Sequence, residues 1–113
     1  MPSFAKRGAN RPPRPSRLTI EDRGQYLEAS WTMPSSWNSS KGTFNLYVSV
    51  PEGNLAGENF LLATLIPSTR YTFSKELLQP FSRAKTLQFR VEASSRSYVR
   101  GEASEAAILV KGN

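Results

Sequence analysis

Short runs in which every second residue is apolar, each ended by a proline, a glycine or a polar cluster, constrain this chain more than any other feature. Leu27, Ala29, Trp31 and Met33 alternate with Glu28, Ser30 and Thr32 until Pro34. Phe44, Leu46, Val48 and Val50 alternate with Asn45, Tyr47 and Ser49 until Pro51. Leu87, Phe89, Val91 and Ala93 alternate with Gln88, Arg90 and Glu92. Successive side chains of a strand point to opposite faces, so each run reads as a strand with one face on a core. Weaker strand signals lie at Leu18 and Ile20, across residues 60–66, at Tyr71 and Phe73, and across residues 106–111. Residues 75–85 read as a connection with one helical turn near Glu76. Seven short strands in 113 residues predict one all-β domain, a seven-stranded antiparallel β-sandwich or a small barrel.

The charge is unevenly placed. Residues 1–17 hold Lys6, Arg7, Arg11, Arg14 and Arg17 and no acid, so they supply +5 of the net +6. Pro2, Pro12, Pro13 and Pro15 fall in the same stretch and rule out a helix there. High charge, little apolar surface and repeated proline predict disorder in isolation. The expected division is a basic, proline-rich arm over residues 1–16 and a nearly neutral domain over 17–113.

The chain has no cysteine and no histidine. That excludes a disulfide framework and the usual zinc ligand sets, and removes the commonest general base and thiol nucleophile. The carboxylates, including the near-pairs Glu21–Asp22 and Glu102–Glu105, read as solvated surface charge. No serine lies in a Gly-x-Ser-x-Gly elbow, and Gly53, Gly57 and Gly101 read as isolated turn glycines. The expectation is a non-enzymatic chain with no cofactor, no metal and no small-molecule substrate. No apolar run has the length of a membrane span, and no apolar segment follows the basic N-terminus as in a signal peptide. Cytoplasmic synthesis is therefore expected.

Several short motifs fall in a recognisable order. Pro13 and Pro15 precede the first strand, and Trp31 in the second is followed by Pro34. Leu78-Gln79-Pro80 follows the fifth strand, Phe89-Arg90-Val91-Glu92-Ala93 ends the sixth, and Gly101 to Ser104 leads into the last. From Pro13 to Val110 the chain resembles a fibronectin type III domain. The resemblance implies a sandwich acting as a binding or structural module. It also exposes two departures. The family's tyrosine near the start of the sixth strand, whose hydroxyl ties down the preceding turn, is replaced by Leu87. The stretch 81–86 is longer than the family's, so that turn is expected to be mobile. In the third strand the family's inward tyrosine would correspond to Tyr47. Period two instead turns Phe44, Leu46 and Val48 inward and Tyr47 outward.

Two groups of residues are candidates for partner binding. The arm cations Lys6, Arg7, Arg11, Arg14 and Arg17 can grip a neighbouring protein subunit, neutralise phosphates of a nucleic acid, or form a solvated tail of no consequence. Phe4 is the only aromatic among them, which argues against single-stranded nucleic acid. Trp37, Arg96, Tyr98 and Arg100 lie in two loops that this sandwich places at one end, and they are residue types enriched at binding hot spots. Trp37 has a second reading, as a lid over the core edge. The functional expectation is a structural or protein-interaction subunit of a larger assembly, with the arm contacting neighbouring subunits. By fold-level analogy, a phage virion component (capsid decoration or tail) fits that description. The alternative is a nucleic-acid-associated protein anchored through residues 1–17.

Overall fold

A computed structural model describes residues 11–37, 40–51 and 58–110. Three strands, β1 (Ser16–Asp22), β2 (Tyr26–Thr32) and β5 (Arg70–Ser74), form one antiparallel sheet in the order β1-β2-β5. Four more, β3 (Gly42–Ser49), β4 (Asn59–Ile66), β6 (Thr86–Ser95) and β7 (Ala107–Val110), form a second in the order β4-β3-β6-β7. The architecture is the predicted seven-stranded antiparallel β-sandwich.

Side-chain parity sets the core. Leu27, Ala29 and Trp31 of β2 face Phe44, Leu46 and Val48 of β3 and the row Leu87, Phe89, Val91 and Ala93 of β6, all of them buried. The β3–β6 register pairs Phe44 with Ala93, Leu46 with Val91 and Val48 with Phe89, so inward residues meet inward residues. A slip of one residue would turn both rows to solvent. Tyr47 points outward, as periodicity requires. Phe73 and Phe89 meet at 6.2 Å across the sheets, and Trp31 stands edge-on to Phe44 at 5.2 Å. The Trp31 indole Nε1 is buried with no acceptor among the described residues.

Regularity fails where local packing overrides alternation. The β3–β4 register shifts twice, between Phe44 and Leu46 and between Leu46 and Tyr47. Irregular pairing interrupts an edge strand that carries no charged residue, and bulges are one way such edges avoid pairing with other chains. After β5, a 3₁₀ helix spans Lys75–Phe81, with the Ser74 hydroxyl accepting from the Glu76 amide at 3.1 Å. It is longer than the single turn expected. Leu78 and Phe81 are three residues apart, hence on one face of a three-residue-per-turn helix, and both are buried. Phe81 packs on Phe60 at 5.2 Å. Leu87 is fully buried where a family tyrosine would stand.

Residues 11–15 lie along the segment that leads into β7. Pro12 and Pro15 are buried. The Arg11 Nε donates to the Arg100 carbonyl at 3.3 Å, and the Arg14 Nε to the Ala103 carbonyl at 2.9 Å. A Cβ on Gly101 would come within 2.6 Å of the Pro12 carbonyl oxygen, so the close approach requires glycine. The packed body therefore includes the proline-rich stretch just before Ser16. Lys6 and Arg7, with the rest of residues 1–10, lie outside the described residues.

Candidate functional site

The β6–β7 connection doubles back through a tight loop. The Tyr98 amide donates to the Ser95 carbonyl at 2.9 Å, and the Ser95 amide to the Val99 carbonyl at 2.9 Å. The Ser95 hydroxyl accepts from the Ser97 and Val99 amides at 3.2 and 3.0 Å. This is a three-residue hairpin loop, whose last position is held at positive φ and ordinarily suits glycine. Here it is Tyr98, at φ 65°. Leu65, beside the β4 irregularity, sits at φ 57°. The left-handed region costs a non-glycine residue about 1–2 kcal/mol. Neither side chain offsets this by burial: Tyr98 is 81% exposed and Leu65 64%. Arg17, in the β1 irregularity, is the third non-glycine residue of this kind among those described.

Leu65 and Tyr98 line the same groove, a cavity of about 780 Å³ on the end of the four-stranded sheet. Thr43, Asn45 and Ser94 also line it, with Gly42 at the β3 end and the cations Arg96 and Arg100 at the loop. Gly42 is there because β3 and β6 meet too closely for a side chain. A Cβ would lie 1.9 Å from the Ser94 carbonyl oxygen. Among the described residues no carboxylate lines the groove.

Arg100 is held in place from behind. Its Nε and Nη2 donate to the two carboxylate oxygens of Glu92 at 2.9 and 3.2 Å, and Nη2 also reaches the Tyr47 hydroxyl at 3.1 Å. Glu92 is 4% exposed although it faces outward, because it lies mid-sheet under Tyr47 and Arg100. It also accepts from the Tyr47 hydroxyl at 2.6 Å and from the Asn45 amide at 3.0 Å. Thr64 donates in turn to the Asn45 carbonyl at 2.5 Å. The expectation that carboxylates are solvated therefore fails at Glu92. Burial pushes its pKa up, but the donors Arg100, Tyr47 and Asn45 outweigh burial and hold it below the ordinary 4.5. Burial, followed by the hydrogen bond to Glu92, pushes the Tyr47 phenol up. Arg96 is the freer cation. Its Nη1 donates to the Ser40 carbonyl at 3.2 Å, and no ion pair of Arg96 is found among the described residues.

A depressed pKa fixes the sign of a pH effect. The stability that Glu92 contributes is full above pH 4.5 and drains as pH falls through its lower folded value. Glu92→Gln keeps the shape and loses the charge, so it is expected to cost about 1–3 kcal/mol at pH 6. Urea titrations at pH 6 and below pH 4 should show the gap between mutant and parent narrowing in acid. A gap independent of pH would contradict this account.

The structure thus brings Arg96, Tyr98 and Arg100 together and leaves Trp37 out of their groove. Trp37 is half-buried and stands edge-on to Phe44 at 5.3 Å, the lid position at the core edge. The two loops do lie at one end, since the Arg96 amide donates to the Lys41 carbonyl at 3.1 Å. Arg11 and Arg14 bond to this chain's own carbonyls, and Arg17 is exposed at the start of β1. Sequence reasoning missed Leu65, Asn45 and Glu92. Alternation marks Asn45 and Glu92 only as outward, and nothing in the sequence marks the irregularity that lifts Leu65 out.

No family model matches the sequence, and no curated protein matches it. Solved structures do. The chain superposes on the fibronectin type III domain of human fibronectin type III domain containing protein 3 with a TM-score of 0.60 at 16% identity, covering 89% of this chain and 86% of that one. It superposes on the Clostridium perfringens spore cortex lytic enzyme SleM with a TM-score of 0.59 at 18% identity, covering 88% of this chain. Pectate lyase Pel3 from Pectobacterium carotovorum gives a TM-score of 0.59 at 16% identity over 89% of this chain. The chain spans 28% of the length of each of these two enzymes. At such identities the likeness establishes a fibronectin type III-like fold.

Proposed function

We propose that this chain is a non-catalytic interaction module, one part of a larger assembly, in which the basic N-terminal arm contacts neighbouring subunits. The observation that supports this most directly is the anchored root of the arm. Pro12 and Pro15 are buried, and Arg11 and Arg14 are bonded to the carbonyls of Arg100 and Ala103. An arm that starts from a fixed point loses less entropy on gripping a neighbour than one joined by a loose linker. The fold recurs as about a quarter of two longer enzymes and as nearly the whole of one separate domain, which suits a module. The virion setting rests on analogy alone, and none of the three neighbours named above is a virion protein.

The anchored root dictates where to cut. Removing residues 1–10 should leave thermal stability unchanged, whereas removing residues 1–16 strips two buried prolines and two hydrogen bonds and should cost about 2–4 kcal/mol. Light scattering after size exclusion then tests the function. The full chain should show a mass that rises with concentration, and the chain starting at Arg11 should stay monomeric. Equal masses for the two would remove the arm from assembly. Salt-sensitive binding of random duplex DNA, lost on the same cut and without self-association, would favour the nucleic-acid alternative.

A further inference from the structure

We infer that the groove between the β4 irregularity and the β6–β7 hairpin is a docking site for an acidic, extended segment of a partner protein. This goes beyond arm-mediated assembly and does not depend on it. Tyr98 and Leu65 each occupy a backbone conformation that glycine or asparagine would adopt at less cost, and each leaves its side chain in solvent. The fold buries little of either side chain, yet both stand on one groove. Strained, exposed residues gathered at one place are a mark of binding surfaces.

Charge selects the occupant. Arg96 and Arg100 line the groove and no carboxylate does among the described residues; Arg100 is already paired with Glu92, so Arg96 supplies the unpaired charge. Glu92 holds two nitrogens of Arg100, and its Nη1 has no partner among the described residues. A guanidinium fixed by its neighbours is prepared for a carboxylate, because the ordering of the side chain is already done. An alternating segment would set acidic side chains on Arg96 and Arg100 and an apolar one between Leu65 and Tyr98. The same geometry disfavours single-stranded nucleic acid. Such ligands need a series of aromatic faces for successive bases, and among the described residues the groove has one. The basic arm is excluded as occupant by like charge.

The test uses the full chain, isotopically labelled for amide chemical shifts, and a twelve-residue peptide alternating glutamate with valine. Peptide alternating lysine with valine and an oligothymidylate are the comparison ligands. The acidic peptide should shift the amides of Gly42, Thr43, Arg96 and Tyr98. Tyr98→Gly and Arg96→Ser should each weaken it at least about fivefold, the loss that marks the energetically important minority of interface residues. Tyr98→Gly suits the hairpin backbone, so its melting temperature should not fall, which separates lost binding from lost folding. In the double variant Lys6→Ser, Arg7→Ser the groove shifts should persist. Shifts confined to the first 17 residues, equal response to the lysine peptide, stronger groove shifts with oligothymidylate, or unchanged affinity in Tyr98→Gly would each overturn the inference. If the chain proves monomeric yet binds the acidic peptide here, the assembly reading falls and the groove stands. If it assembles and the groove stays silent, the reverse holds.

Discussion

Phe44→Ala is expected to cost about 3–5 kcal/mol, the usual loss when a buried phenylalanine is emptied to a cavity. Phe44 is 2% exposed and carries two edge-on aromatic contacts, Trp31 at 5.2 Å and Trp37 at 5.3 Å. Each such pair adds about 0.5–1.5 kcal/mol beyond area burial. A domain of this size has about 5–15 kcal/mol in all, so the variant should sit near the edge of folding. Both indoles lose their common partner, and tryptophan emission should move to longer wavelength even where the variant stays folded. Tyr47→Phe, three residues on and facing the other way, removes one hydrogen bond donated to Glu92 and one accepted from Arg100, and should cost about 2 kcal/mol. Equal losses at the two positions in urea titration would refute the assigned register of β3.

Gly42→Ala is expected to cost about 3 kcal/mol or more, at the upper end for forcing atoms into packed structure. The added carbon would lie 1.9 Å from the Ser94 carbonyl oxygen and 2.9 Å from the Ser95 Cα. Both are backbone atoms, so no rotamer change can relieve the clash. The end of β3 must part from β6, and the groove then loses one wall. Gly24→Ala is a useful contrast. Its Cβ would meet nothing within 4 Å, so only its φ of 97° opposes the change, at about 1 kcal/mol. Circular dichroism melts of the two variants check the order. A Gly42 variant as stable as the parent would mean that the two strands do not approach in this way.

Much of this molecule was legible in the chain because burial follows a rule of two. Leu27, Ala29 and Trp31, Phe44, Leu46 and Val48, and Leu87 through Ala93 could be assigned to the core by counting, and they are buried. The outward turn of Tyr47 followed from the same count. The groove was half legible: Arg96, Tyr98 and Arg100 stood out as exposed types in a polar loop. Trp37 was assigned to that group or to the core edge, and a single sequence offers no means of choosing. A three-dimensional contact with Phe44 decides it.

By itself the sequence determined the class of fold and the inward rows of the strands. These depend on local alternation and composition, which a linear string records in full. Tertiary structure alone decided that Glu92 is buried under Tyr47 of a neighbouring strand, that Pro12 and Pro15 bed against residues near β7, and that Leu65 meets Tyr98 over one groove. Each of these joins segments distant along the chain, or depends on a register shift between strands. Such relations are set by how strands pair and how loops fold back over a sheet, and no single strand's sequence encodes them.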